Sequence, residues 1–316
     1  MKANREIFEE INELKKQKNA IILAHNYQIP EIQDIADYVG DSLGLSQHAA
    51  ETDADIIVFC GVHFMAETAS IISRNKKVLI PDEGAGCSLA ETINLEQLKK
   101  WKSEHPDAVV VSYVNTSADI KSETDYCVTS SNAVKVVESI PKNREILFLP
   151  DMFLGAYVAK VTGRDMHIWP GECHVHAGIR TQDIEKMKED HPGADIMVHP
   201  ECGCTTSFLY HAAKNGNSNG LRFLSTGGMV KHSRTSDKKD FVVATENGLI
   251  YRLKKENPKK NFFPARDDAI CKYMKMITVE KLLNSLRNEV YEVKVPDDIA
   301  LKAKKSIDRM LEITAN

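Results

Sequence analysis

The segments LEQLKKWKSEHPDAVVVSYVN (95–115) and DIEKMKEDHPGADIMVHPE (183–201) follow one plan, and their His-Pro steps, His105-Pro106 and His191-Pro192, lie 86 residues apart. Each reads as a helix, a His-Pro turn and a buried strand. A third copy, IFEEINELKKQKNAIILAHNY, opens the chain, with Ile7, Ile11 and Leu14 at helical spacing and an apolar run from Ile21 to Ala24. Self-similarity on this scale restricts the chain to a few copies of one unit. A second set of strands is expected in IIVFCG (56–61), YCVTSS (126–131) and LRFLSTGG (221–228), and a third in VLIPD (78–82), ILFLPD (146–151) and FVVATE (241–246). Short apolar strands alternating with helices predict parallel sheets covered on both faces. The expected fold class is therefore α/β: three similar three-layer αβα domains with small parallel sheets, arranged about a pseudo-threefold axis. The expected boundaries are 1–104, 105–190 and 191–316. The amphipathic helix at 297–313, with Ile299, Ala303, Ile307 and Leu311 on one face, is expected to pack on the first domain beside the N-terminal helix.

The repeat sorts the seven cysteines. The first residues hold no apolar run of signal-peptide type, and no stretch approaches the roughly 20 apolar residues of a membrane helix. The expected location is the cytoplasm, where an odd set of cysteines is not a disulfide framework. Cys87 stands seven residues before Asn94, Cys271 seven before Thr278, and Cys173 eight before Thr181. Each of these polar residues is a candidate helix cap. Cys60, Cys127, Cys202 and Cys204 show no such equivalence. A lone cysteine is most often a small buried hydrophobe, but three at matched positions can converge on the axis and bind metal. Three thiolates suit zinc with a water, or an iron–sulfur cluster with one open iron. His174 and His176 beside Cys173 offer a competing zinc site. Either centre keeps an open position, which is the arrangement of a catalytic metal.

A second constellation follows the first strand of each unit: His25-Asn26-Tyr27, Tyr113-Val114-Asn115 and His199-Pro200-Glu201. Residues i and i+2 of an extended chain project together, and the carboxyl ends of parallel strands are where open α/β sheets bind ligands. Singly, such residues are ordinary strand-end polar groups; as a threefold set they can exchange protons. Ser42, Ser130, Ser225 and Thr226 could add anion-binding hydroxyls, although each also fits a plain turn or helix start. The formal net charge of −4 gives no reason to expect nucleic acid or an anionic membrane as partner. The basic run KHSRTSDKK (231–239) reads as a solvated loop.

The motifs AHNYQ (24–28), GDSLGLS (40–46), FCGVHFMAETA (59–69), GCSLAE (86–91), SYVNTSA (112–118), CVTSSNA (127–133), LPDMFLG (149–155), WPGECHVH (169–176), HPEC (199–202), ATENGLIYRL (244–253) and CKYMKMITVEKL (271–282) together resemble the quinolinate synthase family over nearly the whole chain. The polar stretch HAAKNGNSNG (211–220) is longer than in the shortest family versions. The resemblance implies a transferase that condenses iminoaspartate with dihydroxyacetone phosphate to quinolinate, releasing phosphate and two waters, for NAD biosynthesis. It implies one 4Fe-4S cluster per chain on Cys87, Cys173 and Cys271, with one open iron acting as Lewis acid. It implies Glu201, His199, Tyr113 and Tyr27 as catalytic residues. His25, Ser42, Tyr113, Asn115, Ser130, His176, His199, Glu201 and Thr226 are implied as substrate-binding. Functional coupling to an L-aspartate oxidase or dehydrogenase, the source of an unstable imine, is compatible with the resemblance. A zinc-dependent lyase or aldolase and a non-enzymatic iron–sulfur sensor are the competing readings.

Overall fold

The computed structural model describes residues 2–209 and 220–315, so most of the polar stretch at 211–220 lies outside the described residues. The chain is α/β, with three four-stranded, all-parallel sheets flanked by helices. The first sheet holds β1 (Ala20–His25), β2 (Tyr38–Gly40), β3 (Ile56–Cys60) and β4 (Lys77–Leu79). The second holds β5 (Val109–Tyr113), β6 (Tyr126–Val128), β7 (Ile146–Leu149) and β8 (His167–Ile168). The third holds β9 (Asp195–Val198), β10 (Leu221–Phe223), β11 (Asp240–Ala244) and β12 (Asn261–Pro264). In every sheet the spatial order is second, first, third, fourth strand. The central strands β3, β5, β7 and β9 are buried along their whole length, as expected for strands covered on both faces.

This register corrects the reading of the first unit. IIVFC is its third strand, not its second, and Lys77–Leu79 is its fourth. The true second strand is Tyr38–Gly40, a three-residue edge strand too short to show a period. The fourth strands β8 and β12, also at sheet edges, escaped notice for the same reason.

The helices after the three cysteine loops hand over from one sheet to the next. Helix Leu95–Glu104 begins with a reciprocal capping box between Asn94 and Gln97, both bonds 2.9 Å, and packs Leu98 on the second sheet against Val110 and Leu147. Helix Thr181–Asp190 packs Ile184 on the third sheet against Ile196 and Val242. Helix Val279–Asn288, capped by Thr278, returns to the first sheet and lies against β3 and the N-terminal helix Lys2–Gln17. The order is therefore cyclic, and the helices ending at the expected boundaries 104 and 190 cover the sheet that follows them. The cap of the middle helix is Arg180, with its amide bonded 2.7 Å to Asp183 Oδ2, and not Thr181. All three cysteines thus stand seven residues before their caps.

The C-terminal helix Asp297–Ala315 is not beside the N-terminal helix. It lies on helix Ala118–Ser122 and β6, with further contact to helix His63–Ile72. Ala300, Ala303, Ile307 and Met310 pack against Ala118, Cys127 and Ile71, and Ser306 donates to Lys121 O at 3.1 Å. Its apolar stripe fits the seam between the first two sheets. Helix Val279–Asn288 already occupies the other place. No helix among the described residues is long and apolar enough to cross a membrane.

Candidate active site

Strand register makes the three units comparable residue by residue. Ala24, Ser112 and Val198 pair with Cys60, Leu149 and Ala244 on one side, and with Val39, Cys127 and Phe223 on the other. One residue beyond the first set come His25, Tyr113 and His199; three beyond come Tyr27, Asn115 and Glu201. Three beyond Val39, Cys127 and Phe223 come Ser42, Ser130 and Thr226. The hydroxyls are thus as equivalent as the triplets. The second strand lies to one side of the first and the third to the other, so each triplet follows a switch point, where open sheets form a crevice.

All of these side chains line one cavity. Cys87, Cys173 and Cys271 line it too, as does His176. Cys60, Cys127, Cys202 and Cys204 do not; all four are fully buried in cores. The basic run at 231–239 also lies elsewhere. His232 bonds Asp195 at 2.7 Å, at the start of β9, and Arg234 pairs with Glu256, because the segment continues helix Thr226–Thr235 along the sheet.

The polar floor of the cavity is a buried network. His176 Nδ1 lies 2.9 Å from Glu201 Oε2 and 3.2 Å from Cys173 Sγ. His176 Nε2 is 2.9 Å from Thr245 Oγ1, which is 2.6 Å from the Tyr27 hydroxyl. Tyr113 donates to Glu201, and His199 Nε2 is 3.1 Å from Ser130 Oγ. Asn26 Nδ2 donates to Thr226 Oγ1 at 2.9 Å. Asn115 Oδ1 is buried and accepts no hydrogen bond from the described residues, so a donor on a bound molecule would satisfy it.

Burial drives the titration of these groups, modified by their neighbours. Desolvation, helped by the nearby His199, lowers His25 to about 3. Desolvation also lowers His199, to about 4, against the pull of Glu201. Both imidazoles are therefore neutral. Desolvation acts the same way on His176, but Cys173 and Glu201 outweigh it and raise His176 to about 10. Glu201 is the mirror case: burial raises it, yet His176 and His199 hold it down at about 2. Tyr27 and Tyr113 are pushed well above the usual phenol value by burial and then by Glu201. The site thus groups a carboxylate held low, an imidazole held high, two imidazoles held low and two phenols held high around one pocket.

The cysteine loops share a backbone device. The carbonyls of Cys87, Cys173 and Cys271 each accept the amide four residues on, from Glu91, Ala177 and Lys275. The sulfurs of Cys87 and Cys271 also receive amides two and three residues on, from Leu89 and Ala90 and from Tyr273 and Met274. Burial pushes Cys87 up to about 12, with the Cys271 charge adding to it, and burial likewise raises Cys173 and Cys271. Three soft sulfur donors, two of them receiving backbone N–H groups, fit a thiolate-bound iron–sulfur cluster. The competing Cys173, His174, His176 trio is not assembled, because His174 Nδ1 turns to Ser88 Oγ at 2.6 Å. The ligating atoms that converge with Cys173 belong to His176 and Glu201, all within 4.8 Å of one another.

Sequence reasoning missed Asp151, Glu246 and Thr245. Asp151 and Glu246 stand two residues beyond the equivalent ends of β7 and β11. Asp151 accepts the Cys173 amide, and Glu246 Oε1 accepts the Cys271 amide at 3.0 Å. The acids ending ILFLPD and FVVATE were the available signal. Thr245 carried none, since its partners Tyr27 and His176 come from distant parts of the chain.

An α/β chain that turns three strand-end crevices, a buried carboxylate and three thiols onto one cavity has the site of an α/β enzyme. The family model described as quinolinate synthetase A protein matches residues 9–312. The chain is 52% identical over 305 residues to quinolinate synthase of Thermus thermophilus, covering 96% of each. It is 53% identical over 304 residues to that of Pyrobaculum aerophilum, covering 96% of this chain and 98% of the relative. It is 55% identical over 306 residues to that of Mycobacterium sp. strain KMS, covering 96% and 91%. The chain belongs to the quinolinate synthase family.

Proposed function

We propose that this chain condenses iminoaspartate with dihydroxyacetone phosphate to form quinolinate, releasing phosphate and two waters, and so supplies the pyridine ring for NAD. The observation that carries this reading is that one cavity gathers the three cysteines and the first and third residues of each strand-end triplet. Their equivalence also supports a pseudo-threefold arrangement about the site. Cys87, Cys173 and Cys271 would hold a 4Fe-4S cluster, and when bound it would supply a Lewis acid at the iron without a protein ligand.

The remaining roles belong to side chains. Glu201, ionised between His176 and Tyr113, is the base of the site, and condensation with ring closure needs protons removed and returned within hydrogen-bond reach. Tyr113, kept protonated, returns a proton at its hydroxyl. Neutral His199, bonded to Ser130, serves the second transfer. Tyr27 is held by Thr245 and lines the same wall. Asn115, Ser42 and Thr226 hold the dicarboxylate, while His25 and Ser130 face the triose phosphate. His25 does so as a neutral hydrogen-bonding group. Because iminoaspartate hydrolyses readily, an L-aspartate oxidase or dehydrogenase would deliver it. The site of action is the cytoplasm.

The test is quinolinate formation from the two substrates by anaerobically purified enzyme. Glu201→Gln should retain iron and sulfide while turnover falls by a factor of about 10² to 10⁴. A Glu201→Gln enzyme as active as wild type removes Glu201 from the proton path. A zinc-dependent lyase remains the second reading, favoured by the convergence of Cys173, His176 and Glu201. Zinc without sulfide in active enzyme is its signature.

A further inference from the structure

Away from the cavity, one other set of ligating side chains converges among the described residues. His105, Glu145 and His167 sit at the amino ends of β5, β7 and β8, the edge of the second sheet opposite the strand ends that face the cysteines. Glu145 Oε1 lies 2.9 Å from His105 Nδ1 and 2.6 Å from His167 Nε2, and the two imidazole centroids are 4.3 Å apart. One imidazole nitrogen from each ring and one carboxylate oxygen therefore meet within 4.8 Å of each other.

The backbone holds these residues in place. His105 closes helix Leu95–Glu104, with its amide on Lys102 O and its carbonyl accepting the Ala108 amide, both at 3.1 Å. The Glu145 carbonyl accepts the Val109 amide at 2.8 Å, and His167 pairs in register with Leu147. The guanidiniums on the same face are already engaged. Arg144 donates to Asp107 O, and Arg164 to the carbonyls of Ile140, Pro141 and Arg144.

The third sheet shows what this corner looks like when it only packs. By register, His191, Asp240 and Phe263 occupy the positions of His105, Glu145 and His167. There His191 stacks on Phe263 at 3.7 Å and 18°, and Asp240 takes a hydrogen bond from Asn261 instead. A phenyl ring satisfies the packing. The second sheet replaces it with an imidazole and lengthens the acid by one methylene, and these two changes complete a nitrogen, nitrogen, oxygen donor set.

We propose that His105, Glu145 and His167 form a surface site for a divalent transition-metal ion of the zinc type, distinct from the cysteine centre. Two imidazoles and a carboxylate suit zinc, with water completing the tetrahedron. Zinc holds such atoms at about 2.0–2.2 Å, so the donors need to open by about half an ångström, a side-chain movement. Coordination leaves each imidazole neutral, with its proton on the nitrogen away from the metal. The ion would pin the two-residue edge strand β8 to the end of helix Leu95–Glu104. This site makes no use of the reaction proposed above.

The test uses the anaerobically purified full chain, dialysed against a modest excess of zinc chloride and then against metal-free buffer. Zinc and iron are counted in the same samples for wild type, His167→Phe and Glu145→Gln. The first variant installs the residue of the third sheet, so the fold has a precedent for it. Wild type should hold one zinc per chain more than either variant at equal iron, and zinc should raise the melting temperature of wild type alone. Equal zinc in all three chains overturns the site, whatever the iron count. Should one variant fail to fold, as judged by circular dichroism, the comparison with the other decides.

Discussion

His176 Nδ1 stands 2.9 Å from Glu201 Oε2, and both side chains are only 3% exposed. A buried pair of this kind is costly unless each charge keeps the other, and losing one partner leaves an uncompensated charge. His176→Asn should therefore raise the Glu201 carboxyl from its low value. The acid limb of the kcat/KM profile should move to higher pH, with turnover reduced by a factor of at least about 10. An unshifted acid limb would mean that His176 does not set the protonation of Glu201.

His25 makes stability depend on pH. Its folded-state value of about 3 lies below the ordinary 6.5, so the unfolded chain binds a proton that the native chain refuses. Stability from this residue is full above about 6.5 and falls as the pH drops toward 3, by up to about 1.4 kcal/mol per pH unit. The difference in unfolding free energy between wild type and His25→Asn, followed by denaturant titration from pH 7 to 4, should show that slope. A pH-independent difference contradicts a buried, neutral His25.

Glu246 ties down the Cys271 loop, accepting the Cys271 amide at 3.0 Å and the Lys275 ammonium at 2.8 Å. Glu246→Ala should loosen that loop, so the proposed cluster should bleach at least several-fold faster under a ferrous chelator. Visible absorbance follows this directly. An unchanged bleaching rate would leave the carboxylate without a part in holding the cysteine.

Gly171 marks where the Cys173 loop crosses its neighbours. A Cβ there would stand 2.4 Å from Thr92 Oγ1 and 2.5 Å from the Pro150 carbonyl oxygen, too close for either. Gly171→Ala should cost about 1–3 kcal/mol of stability, read from the denaturation midpoint. A midpoint equal to wild type would show that the loop yields without cost.

The sequence carried the long, apolar central strands, because Val109–Tyr113 and Ile146–Leu149 cannot be left facing water in a folded chain. It did not carry Tyr38–Gly40 or His167–Ile168, since two or three edge residues show neither period nor apolar run. Missing Tyr38–Gly40 slid Ile56–Cys60 into the wrong slot and hid the equivalence of Ser42 with Ser130 and Thr226. The strand-end triplets were legible because a strand's end fixes where its next residues point. Contacts such as His176 with Glu201, or Tyr27 with Thr245, arise only when different sheets meet, and no local pattern encodes them. The C-terminal helix shows the same limit: its apolar stripe was evident, but the seam that accepts it was not.

The most direct measurement is of iron, sulfide and zinc in anaerobically purified wild type and Cys87→Ser, beside quinolinate formation by each. The account predicts about four irons and four sulfides per chain with quinolinate formed by wild type, and both lost in Cys87→Ser. Active wild type that contains zinc without sulfide, or a Cys87→Ser enzyme that keeps its cluster and its activity, would contradict it.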